Sequence, residues 1–296
     1  MKAVKHKTVK ILIATLVVIT LALGIVACVL RSFEEKTAVE DASGEELNVE
    51  DFYDEESGVY DTEKIKVSDG IFDNEFEGYN GINESHEGKK EIYLTFDDGP
   101  SIYTDEILDI LNSYGIKATF FVLAKTDDTS VKAYKRIVNE GHTLALHSYS
   151  HKYGQIYESK DSFINDISSL QEYLYKITGV WSRIYRFPGG SSNTVSHTDM
   201  SELIEYLHEE GIQYYDWNIS SADATSGRIL SAETIKNNCV RPIDKYDECM
   251  ILMHDSGARR TTVDALDDII EAVNARGDCV FMAITDETVP IQHRTS

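Results

Sequence analysis

The stretch "IYLTFDDGP", Ile92–Pro100, ends an apolar run on two adjacent carboxylates and a Gly-Pro turn. Neighbouring like charges repel, and they repel more when partly buried. The pair is therefore either solvated or held together by something cationic. The run itself reads as a strand bounded by turn residues. From Glu91 onward the pattern repeats. Strand-like runs recur at 118–124, 142–147, 183–187, 212–217, 249–254 and 279–284, and helix-like stretches at 105–115, 130–140, 162–178, 199–210, 231–239 and 261–276 lie between them. Gly141, Gly211 and Gly277 close helices where a left-handed residue is wanted. Seven strand-like runs alternating with six helix-like stretches imply an α/β fold with about seven parallel strands and helical crossovers. Barrel-like closure puts the site at the strands' C-terminal ends.

The chemistry collects at those ends. Asp97 and Asp98 end the first strand, and His147 and His151, in "HSYSH", end the third. Arg186 follows in "RFPGG", Asp216 and Trp217 in "DW" with Asp223 six residues on, and His254 in "ILMHD". Each item alone has a plain structural explanation: a turn, a surface loop, a buried ion pair, a core histidine. Their convergence on one rim does not. Two imidazoles four residues apart on a helical turn can share a cation. One aspartate of the pair completes a His₂Asp set that leaves positions open for water and substrate. The other aspartate is then held by that cation and by Arg186, free to act as a base.

In order, "TFDDGP", "HSYSH", "RFPGG", "DW" with Asp223, and "ILMHD" resemble the five motifs of the polysaccharide deacetylase family, carbohydrate esterase family 4, across residues 89–285. The resemblance implies a distorted (β/α) barrel that hydrolyses N- or O-acetyl groups on polymeric sugars with one divalent metal. That metal is expected to be Zn²⁺, with Co²⁺, Ni²⁺ or Mn²⁺ as substitutes. It implies Asp98, His147 and His151 as metal ligands, Asp97 as general base and Arg186 as its partner. His254 becomes the general acid with Asp223 as its charge partner. Trp217 and Leu252 become walls of an acetyl pocket, and Pro188 and Gly189 border the substrate. Gly189 and Gly190 depart from the bulky residues common at this motif, and they are expected to open that side of the groove.

The first thirty residues are separate. Lys2, Lys5, Lys7 and Lys10 precede an uncharged run, 11–30. At about 1.5 Å per residue it spans roughly 30 Å, a bilayer core. The basic flank places residues 1–10 in the cytoplasm and the rest outside. The expectation is a single N-terminal transmembrane helix. A lipoprotein lipidated at Cys28 ("IVAC") and a cleaved secretory signal are the alternatives. Of the total charge of −23, residues 31–88 carry −15, from 19 Asp and Glu against 4 Lys and Arg. They read as an acidic extracellular spacer, partly packed where aromatics gather. Residues 89–296 form the catalytic domain. The acidic balance excludes nucleic-acid partners. None of Cys28, Cys239, Cys249 and Cys279 has thiolate-zinc spacing.

The resemblance, with the expected anchor, implies cell-wall polysaccharide as the partner, met by a membrane-anchored monomer that deacetylates peptidoglycan N-acetylglucosamine. Other polymers keep the same chemistry: N-acetylmuramic acid, poly-N-acetylglucosamine, chitin oligomers or acetylated xylan. A non-catalytic wall-binding protein would be expected to lack Asp97 or a metal ligand. A metalloprotease of the H-E-x-x-H type is excluded by the absence of that motif.

Overall fold

The structure, a computed structural model, describes residues 88–224 and 228–295, together with the backbone of four two-residue strands between Val39 and Tyr60. Those four form two antiparallel ladders, Val39–Glu40 with Glu46–Leu47 and Tyr53–Asp54 with Val59–Tyr60. The expected membrane anchor, Cys28 and most of the expected spacer lie outside the described residues. Among the described residues no helix is long and apolar enough to cross a membrane.

Residues 82–296 make one compact unit around a parallel sheet. Its strands are β1 (Lys90–Gly99), β2 (Thr119–Leu123), β3 (Thr143–Ser148), β4 (Ile184–Tyr185), β5 (Gln213–Tyr214), β6 (Ile219–Ser220), β7 (Glu248–His254) and β8 (Cys279–Met282). The order is β6-β7-β1-β2-β3-β4-β5, and β8 pairs with the first half of β1. The ends of this row, β5 and β6, are joined by four residues, so the sheet curls toward itself as a distorted barrel. Helices α1 (Thr104–Ser113), α2 (Asp128–Asn139), α4 (Lys160–Thr178), α5 (Met200–Glu209), α6 (Ala232–Val240) and α7 (Arg260–Asn274) make the crossovers, with a short α3 (Tyr153–Ile156) before α4.

The seven strand-like runs become eight strands. Two of the runs shrink to the pairs of β4 and β5. The two-residue β6 and the single-turn α3 are too short to leave a periodic signal. Helix starts follow the expected chemistry: Asp127, Ser159, Asp199 and Ser231 each accept a backbone N–H in the first turn.

Strand alternation divides the core in two. Ile92, Leu94 and Phe96 of β1, Phe120 and Val122 of β2, Leu144 and Leu146 of β3, and Cys249, Ile251 and Met253 of β7 face the helices. There they meet Leu108 and Leu111 of α1 and the stripe Val263, Leu266, Ile270 of α7. The other parity faces inward: Tyr93, Phe121, Ala145, Ile184, Tyr215 and Met250 fill the interior. Successive strand side chains point to opposite faces. Continuing the inward parity toward the C-terminal ends gives Asp97, His147, Arg186 and His254. Cys239 and Cys249 are buried free thiols, and Cys279 is a free thiol at partial exposure.

One core polar group sets an acid limit. His142 is 5% exposed, and its Nδ1 accepts from the Ala118 N–H at 3.1 Å. Burial first, then the charges of Lys117 and Arg136, push this ring down to about 3. The unfolded chain therefore takes up a proton below about pH 6.5 that the native state refuses, and stability falls toward acid by about 1.4 kcal/mol per pH unit for this group. Urea melts of wild type and His142→Asn at pH 6.5 and 4.5 should show a smaller acid loss in the variant. Equal losses would acquit His142.

Candidate active site

Asp97, Asp98, His147, His151, Tyr153, Gly189, Trp217, Ala224, Leu252 and His254 line an open cleft of roughly 210 Å³ at the C-terminal ends of the strands. Eight of the eleven residues singled out in the sequence are in that lining. Arg186 and Asp223 stand directly behind it. Pro188 is buried one step back, where its carbonyl accepts from the Tyr157 hydroxyl at 2.9 Å.

The adjacent aspartates separate by backbone geometry. A regular strand would turn Asp98 away from Asp97's face. Instead the β1–β2 register shifts between Asp97 and Gly99, and Asp98 adopts φ 72°. That left-handed residue turns both carboxylates to the same rim. The turn is fastened from behind. Lys125 Nζ donates to the carbonyls of Asp98 at 2.9 Å and Pro100 at 2.6 Å. Asp255, 1% exposed, accepts from Ser101 and Thr104 hydroxyls, both at 2.5 Å. Burial raises the Asp255 carboxyl, against those two hydrogen bonds. A Cβ on Gly99 would sit 2.5 Å from Asp255 Oδ2, so only glycine passes there.

Asp97, 3% exposed, is paired to Arg186, whose Nη1 lies 2.8 Å from Oδ1. Arg186 is fully buried and all three of its nitrogens donate: Nη1 also to Thr95 Oγ1 at 2.7 Å, Nε to the Tyr215 carbonyl at 3.0 Å, and Nη2 to the Asp216 carbonyl at 2.8 Å. Its guanidinium covers the Phe121 ring at 4.0 Å. Asp216, grouped with the rim by sequence, is buried structure. Its carboxylate takes Ser191 N–H at 2.8 Å and Ser191 Oγ at 2.5 Å.

His147 and His151 were expected on one helical turn. The structure corrects this: His147 ends β3 and His151 sits in a loop with φ 51°. Asp166, from α4, builds that loop. It accepts from Ser148 Oγ at 2.6 Å, Tyr149 N at 2.9 Å, and Ser150 N and Oγ at 3.0 and 2.9 Å. Ser148 Oγ in turn accepts from His151 N at 2.8 Å. Asp166 was invisible to motif reading, since an acidic residue on a helix carries no signal of its own.

Asp98 Oδ1 is buried and makes no hydrogen bond. It lies 3.2 Å from His151 Nε2 and 3.6 Å from His147 Nε2. His147 Nδ1 lies 2.8 Å from the Arg186 carbonyl, which can only accept, so Nδ1 carries a hydrogen and the lone pair of the neutral tautomer lies on Nε2. Burial, then the charge of the His147 ring, hold His151 below its usual value. An orphaned buried carboxylate oxygen facing imidazole lone pairs is an arrangement that a divalent cation satisfies. Among the described residues these three are the one such set, with ligand atoms within 4.8 Å of one another.

On β7, the strand beside β1, His254 Nδ1 lies 2.8 Å from Asp223 Oδ1. Asp223 Oδ2 accepts from His254 N at 2.9 Å and Thr262 Oγ1 at 2.8 Å. Burial alone would lower His254; the Asp223 hydrogen bond and charge, aided by Asp97 and Asp98, outweigh it and raise the ring above 6.5. Burial likewise opposes Asp223's charge, and His254 reverses the balance, holding that carboxyl low.

The expected opening at Gly189 is filled. A Cβ there would stand 3.2 Å from the Tyr153 ring and hydroxyl. Tyr153 and Ala224 are lining residues the sequence did not disclose.

One rim thus holds a cation-binding triad, an arginine-paired carboxylate and a carboxylate-paired imidazole. Activation of water and protonation of a leaving group are both provided for, and the fold and site define a hydrolase. The model of the polysaccharide deacetylase family matches residues 84–206. Two peptidoglycan-N-acetylglucosamine deacetylases of Bacillus cereus are similar: one is 32% identical over 64% of this chain and 65% of its own length, the other 30% over 64% and 67%. The crystal structure of the catalytic domain of a peptidoglycan N-acetylglucosamine deacetylase from Eubacterium rectale superposes with TM-score 0.66 and 38% identity, covering 71% of this chain and 94% of that one. The polysaccharide deacetylase Bc1974 of Bacillus cereus follows at TM-score 0.62 and 28% identity, over 69% and 97%. This chain belongs to the polysaccharide deacetylase family.

Proposed function

We propose that the protein removes N-acetyl groups from N-acetylglucosamine residues of peptidoglycan and releases acetate. The observation that carries this reading is the division of labour between Asp97 and Asp98: one carboxylate on Arg186, the other against two imidazoles. The names of the similar proteins supply the polymer. Two imidazole nitrogens and one carboxylate favour zinc. A divalent cation held by Asp98, His147 and His151 supplies Lewis acidity at the acetyl carbonyl and the attacking water.

The chain's own groups do the proton work. Asp97, oriented through Oδ1 by Arg186, takes the proton of water as it attacks the amide carbon. His254, with Nδ1 bound to Asp223, keeps Nε2–H for the departing glucosamine nitrogen. Trp217 and Leu252 shape the wall that receives the acetyl methyl. Residues 11–30 act as a membrane anchor, with the catalytic domain outside, where wall polymer is found.

Purified protein loaded with zinc should release acetate from peptidoglycan and from N-acetylglucosamine oligomers. Mass analysis of the muropeptides should find the missing acetyl on glucosamine. Its loss from muramic acid, or no acetate at all, would refute the reading. The pH profile is a second check. A raised His254 stays protonated above pH 6.5, which carries the basic limb of kcat upward. Asp223→Asn removes the raising charge, so that limb should move to lower pH, while the acid limb stays. An unmoved basic limb would mean that His254 is not the acid.

A further inference from the structure

Trp217 and Leu252 are apolar walls of the cleft, and Trp217 is held by His293, from a segment near the chain's end. The His293 ring stands edge-on to the indole, with centroids 4.8 Å apart and planes at 78°. His293 Nε2 lies 2.6 Å from the Trp217 carbonyl. A carbonyl only accepts, so Nε2 carries the hydrogen, and Nδ1 is left to face Ser192 Oγ at 3.4 Å.

The backbone of the same segment is tied down on both sides of this contact. His293 N donates to buried Asp216 Oδ2 at 2.7 Å, and Asp216 N donates to the Ile291 carbonyl at 2.7 Å. Arg294 N donates to Ser191 Oγ at 3.0 Å, and the Tyr214 hydroxyl donates to the Arg294 carbonyl. Asp216 and Ser191 are the residues that flank Trp217 and the Gly189–Gly190 turn. A Cβ on Gly190 would stand 3.0 Å from the indole, so the turn is closed up against Trp217 as well. The indole is therefore confined by the Gly190 turn, by the Arg186 guanidinium 5.8 Å from its centroid, and by His293.

We propose that His293 is a specificity-determining positioning residue: it pins Trp217 in the cleft wall so that the acyl pocket admits acetyl and rejects longer chains. It never touches the reacting atoms. The inference rests on the deacetylase reading above. A merely structural tether would support the fold and leave the choice of acyl group alone.

The test uses the full zinc-loaded chain with a Trp181→Phe background, which leaves Trp217 as the one tryptophan of the two in the sequence. Substrates are N-acetyl and N-propionyl chitotetraose. A fitted pocket discriminates one methylene by about 10- to 200-fold in kcat/KM. His293→Ala should bring that ratio below about threefold, mainly by raising propionyl turnover, and should shift Trp217 emission to the red. His293→Asn keeps a donor for the Trp217 carbonyl and should recover part of both signals. Unchanged selectivity and emission in a His293→Ala protein that melts like the parent would overturn the proposal. If the parent hydrolyses neither substrate, the deacetylase reading falls, and an emission unchanged by His293→Ala then also removes the pinning of Trp217.

Discussion

Asp97→Asn should retain a full equivalent of metal and lose about 10²–10⁴-fold in kcat, the usual contribution of a general base. Asp98→Asn should lose metal and activity together. The two residues are neighbours of one type, and the difference lies in what each faces. Asp97 spends Oδ1 on Arg186 Nη1 at 2.8 Å, and its Oδ2 stays 3.9 Å from the nearer imidazole nitrogen. Asn keeps an acceptor for Arg186, so the fold survives while the basic oxygen is gone. Asp98 Oδ1 has no hydrogen bond and points at His151 and His147. The measurement is metal content beside kcat for both variants on one acetylated oligosaccharide. Metal lost from Asp97→Asn and kept by Asp98→Asn would exchange the two roles. Full activity in Asp97→Asn would remove the base from the mechanism.

Arg186→Met should cost about 3–5 kcal/mol of folding stability, because it strips the partner from a buried carboxylate. Arg186 is wholly enclosed, and its donors also satisfy Thr95 and the carbonyls of Tyr215 and Asp216. The double variant Arg186→Met/Asp97→Asn should be destabilised by less than the sum of its parts, since no unpaired charge remains. Urea melts of the four proteins give the coupling directly. Additive losses would show that the ion pair contributes nothing beyond packing and hydrogen bonds.

Much of the molecule was legible without coordinates. The alternation of apolar runs with amphipathic stretches announced a parallel α/β unit, and most helices begin and end within about two residues of the expected positions, as boundary fraying allows. The site was legible because its groups terminate strands of the same sheet. In a parallel sheet all C-terminal ends lie on one side, so residues far apart in the chain must share a rim. Asp97, His147, Arg186 and His254 could be gathered on that ground alone.

What escaped was whatever depends on groups meeting across the fold. No pattern marks Asp166, yet its carboxylate shapes the loop that brings His151 to the site. Lys125 and Asp255 fasten the aspartate turn through contacts that span the sheet. Tyr153 fills the space at Gly189, and Trp217 the space at Gly190, that the two glycines had suggested was open. His293 reaches Trp217 from 76 residues away. The longer strands and helices and the residue types at the strand ends were readable along the chain, because local periodicity and charge are properties of neighbours. That Asp98 turns with a left-handed backbone to join Asp97, and which side chains hold it there, is set by contacts across the fold. Hydrogen bonds and burial are formed between segments, and their partners are chosen by packing rather than by spacing.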